Sequence, residues 1–188
     1  MRKILIALSV AAVAVGGANV ALAKQLRVAL VLPGPITDGT FNTAAYQGLK
    51  KAQKKYDLKV SIQENVTFAQ SKSALLHYAR AGYDVIIGHG FQFGEPAKKI
   101  HKQFPKTWFI INTTKVAEAP NLASFDNRWG DAGYVAGYVA AMMTKTGIIA
   151  HIGGIPVPVI KEYNTGFARG AKRFNPKVKV LSAYVGSF

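Results

Sequence analysis

Residues 27–47, RVALVLPGPITDGTFNTAAYQ, pass from a buried strand through a turn-rich loop into a helix. Residues 27–32 are a short run of β-branched and leucine side chains, the kind that a sheet covers on both faces. Pro33, Gly34 and Pro35 cannot extend that strand, so the backbone leaves the sheet there. Asp38 or Thr40 then caps a helix whose apolar positions begin at Phe41, Ala44 and Ala45 and continue to Leu49. In an open α/β sheet, ligands bind in the loops that follow the carboxyl ends of strands. Phe41 with Asp38, Thr40 and Asn42 in such a loop suits a flat molecule with polar edges. The competing assignment makes Phe41 simply the first core residue of its helix.

The same alternation repeats downstream. Residues 58–63, 83–88, 106–112 and 122–126 read as strands, with helices over 68–81, 95–104 and 129–144 between and after them. Gly82 is expected to close the second helix in the left-handed conformation. Strand following helix throughout predicts an α/β fold with a doubly wound parallel sheet. The helix over 129–144 carries Gly130, Gly133 and Gly137, each weakening it by roughly 1 kcal/mol relative to alanine. That predicts a very close neighbour, expected to be the sheet. Residues 147–153 begin a new strand, followed by Gly153-Gly154, a helix to 174 and a strand over 178–185. The expected organisation is a first α/β lobe over 24–145 and the start of a second over 146–188. A single strand–helix–strand unit cannot cover both faces of a parallel sheet, so the rest of the second lobe is expected outside these residues.

Residues 1–23 have the pattern of a cleaved secretory signal: Arg2 and Lys3, an apolar run over 4–15, and Ala21-Leu22-Ala23 before Lys24. This predicts an exported, periplasmic protein. The absence of cysteine excludes disulfides, thiolate metal sites and a lipidated N-terminal cysteine. The formal charge is +15, and +13 without Arg2 and Lys3. The lysines are spread along helix faces and strand ends, the distribution of solvated faces rather than of a nucleic-acid footprint, so no nucleic-acid partner is expected. The alternatives are a secreted basic protein that binds nucleic acid or anionic surfaces, and a non-functional truncated fragment.

No catalytic constellation is visible. His77, His89, His101 and His151 are scattered, without acidic partners at metal-ligand spacing, and His77 and His101 are expected as helix-surface or half-buried residues. There is no nucleophile elbow, phosphate loop or dinucleotide fingerprint, so neither an enzyme nor a cofactor nor a metal is predicted. Three loops at strand ends offer instead Asp38, Thr40, Phe41 and Asn42; His89, Phe91 and Gln92; and Asn112, Thr113 and Thr114. Aromatic rings with amides and hydroxyls form a binding set, stacking on a ring and bonding its edges. Phe93 reads as core.

DGTFN at 38–42, YDVIIGHGF, PNLASFD, GYVAGYVAAMMTKTG, IGGIPVPVI and YVGSF, in that order, resemble the basic membrane protein family. These are substrate-binding proteins of ABC importers and include purine-nucleoside receptors. The resemblance implies the type I periplasmic-binding fold, two α/β lobes with the ligand between them, and a permease of the inner membrane as partner of a monomeric receptor. It implies that Phe41 stacks on a purine, with Asp38 and Asn42 beside it and Phe91 flanking the cleft. Asn112 stands where many members have an aspartate suited to ribose hydroxyls; an amide also hydrogen-bonds a diol, without the charge-assisted strength.

Overall fold

The computed structural model describes residues 24–187; the signal sequence expected over residues 1–23 lies outside them. β1 (Arg27–Val31), β2 (Lys59–Gln63), β3 (Val85–His89), β4 (Trp108–Asn112) and β5 (Leu122–Phe125) form one sheet in the order β2-β1-β3-β4-β5. Every neighbouring pair is parallel. Side chains alternate along β1. Val28 and Leu30 meet Leu49 of α1 (Phe41–Tyr56) on one face. Ala29 and Val31 meet Leu75 and Ala79 of α2 (Ser71–Arg80) and Ile100 of α3 (Gly94–Ile100) on the other. Each large side chain buried in this way contributes about 1.5–3 kcal/mol. The central strands are therefore apolar on both faces, which is why they read as unbroken hydrophobic runs.

His101 departs from the sequence expectation of a helix-surface or half-buried position. It is fully buried, and its Nδ1 donates to Asn121 Oδ1 at 2.9 Å. Asn121 Nδ2 in turn donates to the carbonyls of His101, Phe104 and Thr107 at 2.9, 2.8 and 2.6 Å. The α-helix ends at Ile100 and residues His101–Gln103 form a 3-10 turn, so helical periodicity does not reach this position.

The second unit contains α4 (Trp129–Met143), β6 (Ile148–Gly153), α5 (Pro158–Phe174) and β7 (Lys179–Tyr184), with β6 and β7 paired in parallel. Its core joins Ala141 of α4 to Ile149, Phe167, Ala171 and Val178. The glycine-rich helix, expected against the sheet, meets α5 along its glycine face and reaches the β6–β7 pair through Ala141. A Cβ at Gly133 or Gly137 would overlap the carbonyl of Tyr163 or Phe167, and one at Gly166 or Gly170 would overlap that of Gly130 or Tyr134. The partners ascend together, so the helices run parallel with their backbones in contact. Small residues allow this approach, and a sheet would not have required glycine on both partners. α4 and α5 cover one face of the β6–β7 pair; Ile148, Ile152 and Leu181 remain exposed on the other.

Candidate functional site: a cleft between two units

With β1, β3 and β4 adjacent, the loops that follow them emerge side by side. In this strand order the crossover direction reverses between β1 and β3, which leaves a crevice at their carboxyl ends. A cleft of about 870 Å³ opens there, facing the second unit. One wall is built from Pro33 after β1, Phe41 at the start of α1, Val66 to Phe68 after β2, Gly90 to Gln92 after β3, and Thr113 after β4. The other comes from His151 to Ile155, Val159, Ile160, Tyr163 and Asn164, with Gly186 and Ser187 after β7 and Trp129 from α4. Among the described lining residues, no side chain is Asp, Glu, Lys or Arg. Burying an ion there would leave it without a counter-charge, whereas the rings of Phe41, Phe68, Phe91, Trp129 and Tyr163 favour a flat apolar surface. Lys115 Nζ and Glu162 of α5 form an ion pair at 3.0 Å that joins the two units.

Of the five residues expected at a site, Phe41 and Phe91 line this cleft together, while Asp38, Asn42 and Asn112 do not appear on its walls. Phe41 is half-buried and opens α1. Phe91 begins the 3-10 turn Phe91–Phe93, which occupies what reads in the sequence as a loop, and Phe93 is fully buried core. Asp38 serves the backbone. Its carboxylate accepts the N–H groups of Thr40, Asn42 and Thr43 at 2.9, 2.9 and 3.0 Å, and Asn42 Nδ2 donates to it at 2.8 Å. Asn42 is buried behind the loop. Asn112 is buried at the end of β4; its Oδ1 accepts from the Thr113 hydroxyl, and it pairs in the ladder with His89.

The hydrogen bonds from Asn42, Thr43 and Thr40 hold the Asp38 carboxyl well below the usual carboxylate range. A depressed folded-state pKa contributes stability that is present above the unfolded value, near pH 4, and is lost as the pH falls through the folded value. Asp38→Asn is therefore expected to lower the melting temperature at pH 7, with the difference from wild type shrinking steadily as the pH is lowered below 4. A constant difference over that range in a melting series would contradict the capping role.

Thr113 is the point of local strain. It sits at φ +63°, a region that β-branched residues rarely occupy, with its N–H bonded to the Phe125 carbonyl at 3.0 Å. Strained backbone of this kind concentrates where a structure presents side chains to ligands. Sequence reasoning singled out the Thr113 loop, but not Phe68, Trp129, His151, Tyr163 or Asn164. The Gly153-Gly154 pair after a strand was the available signal for the second wall, since it repeats the loop pattern of the first.

A model of the PnrA-like ABC transporter substrate-binding proteins (Bmp) matches residues 25–188. The chain is 33% identical over 159 residues to the ABC transporter nucleoside-binding protein BmpA of Lactococcus lactis, covering 81% of this chain and 45% of that protein. It is 31% identical over 183 residues to a purine-binding protein of Brucella abortus, covering 96% and 52% respectively. The chain thus spans about half the length of the curated relatives it matches. Among solved structures, an ABC transporter solute-binding protein of Aeropyrum pernix superposes with a TM-score of 0.75 at 24% identity, covering 86% of this chain and 48% of that one.

Proposed function

The chain belongs to the family of PnrA-like ABC transporter substrate-binding proteins, and from that premise we propose that it is the exported receptor of an ABC importer for a purine nucleoside or a close analogue. The fold is the α/β, type I periplasmic-binding architecture of ABC solute-binding proteins. One observation carries the ligand class: the cleft is lined by rings and neutral polar groups, with Phe41 and Phe91 at the strand ends. A heterocycle stacks on such rings, while amides and hydroxyls such as Gln92, Thr113 and Asn164 bond its edges. The names of the relatives, one nucleoside-binding and one purine-binding, support the same class. Phe41 is the stacking residue in this reading, with Phe91 on the loop after β3. Asp38, Asn42 and Asn112 shape the wall from behind rather than touching ligand.

Closure of the two units over the ligand would present one surface to a permease of the inner membrane. The pattern over residues 1–23 makes export and a periplasmic location part of the same proposal. The experiment is a thermal-shift titration with adenosine, guanosine and inosine, with ribose and AMP as controls. A ligand at one hundred times its Kd stabilises by about 2.7 kcal/mol, a shift of roughly 5–10 °C for a chain of this size. Stabilisation by the purine nucleosides and not by ribose or AMP is the expected result. No shift with any nucleoside at millimolar concentration would sink the proposal.

A further inference from the structure

His89 closes β3 and is buried, directly behind Phe41. Its ring lies against that of Phe41 with centroids 3.9 Å apart and planes 30° from parallel. Its Nε2 lies 2.9 Å from the Phe41 carbonyl oxygen. A carbonyl only accepts, so Nε2 carries the proton and donates, which fixes both the tautomer and the plane of the imidazole. The strand ladder, in which His89 pairs with Asn112, fixes where that ring stands. Phe41 itself is the first residue of its helix, so no preceding helical turn restrains its side chain. One histidine thus holds both the backbone and the ring of the residue that faces the cleft.

We propose that His89 is the positioning residue of the aromatic shelf: it clamps Phe41 so that the free face of the phenyl ring is presented, already oriented, to a flat heterocycle. The inference rests on the reading of Phe41 as the stacking residue of the cleft. Orienting a ring before the ligand arrives removes rotamer freedom that would otherwise be lost on binding. Histidine is suited to both contacts. Phenylalanine would keep the stack without the N–H, and glutamine would keep an N–H without the stack.

The test has two arms. In the first, 15N-edited NMR of the ligand-free protein reads the imidazole tautomer and its proximity to Phe41. The Nε2–H form with cross-peaks between the two rings is expected; the Nδ1–H form, or no cross-peaks, overturns the proposal whether or not any nucleoside binds. In the second, adenosine affinity is measured by calorimetry for wild type, His89→Ala and His89→Phe. The alanine variant is expected to bind about tenfold more weakly, and the phenylalanine variant to recover part of that loss. Alanine and wild-type proteins of equal affinity overturn the proposal. A wild type that binds no nucleoside defeats the functional reading, and the NMR arm still decides the clamp.

Discussion

Gly137→Ala is expected to destabilise the protein by about 1–3 kcal/mol and to unfold the second unit first. In an exposed helix the same change stabilises, by up to about 1 kcal/mol, because alanine loses less backbone entropy than glycine. The sign reverses here because a Cβ at Gly137 has nowhere to go: the Phe167 carbonyl, its carbon and its Cα occupy the space. These are backbone atoms of a neighbouring helix and cannot rotate away as a side chain would. Relief requires α4 and α5 to separate, which uncovers Ala141, Phe167 and Ala171 together. Gly48→Ala supplies the internal control, since that helical glycine has no atom near its added methyl group and should gain stability. Urea denaturation of both variants measures the contrast. A Gly137→Ala protein as stable as wild type would mean that the two helices do not meet through their backbones.

Phe41→Ala is expected to weaken adenosine binding by about 1–3 kcal/mol, or roughly five- to 150-fold, the loss that accompanies removal of an aromatic ring stacked on a base. The ring is half-buried and stands in front of His89 rather than in the main core, so the cost to folding should be smaller than the cost to binding. Phe41→Tyr keeps the ring face and should lie within a fewfold of wild type. Calorimetry on the three proteins decides it. Equal affinity in wild type and the alanine variant would remove Phe41 from the site and return it to the role of a helix-start residue.

Much of the fold could be read from residues 27–32, 83–88 and 106–112, because a parallel strand covered on both faces must be apolar throughout. Phe41 and Phe91 were legible as cleft residues for a related reason: each follows a strand's carboxyl end, and in an open α/β sheet those ends share one side. The identity of Asp38 suited both binding and capping. The three backbone N–H groups that converge on Asp38 show that its carboxylate caps the start of α1. His101 is a clearer case, since its burial depends on Asn121, twenty residues along, folding back to bond it.

By itself the sequence determined the parallel α/β class, the order of strand and helix, the loops that carry Phe41 and Phe91, and the need for a close neighbour along Gly130, Gly133 and Gly137. Each is a local property, set by periodicity, turn chemistry or the missing Cβ of glycine. The tertiary structure alone decided that this neighbour is α5, that His89 backs Phe41, and that His151, Tyr163 and Asn164 complete a second wall. Those facts join residues from tens of positions to more than a hundred apart, and no repeat or spacing along the chain encodes which side chains meet when two packed units close on one another.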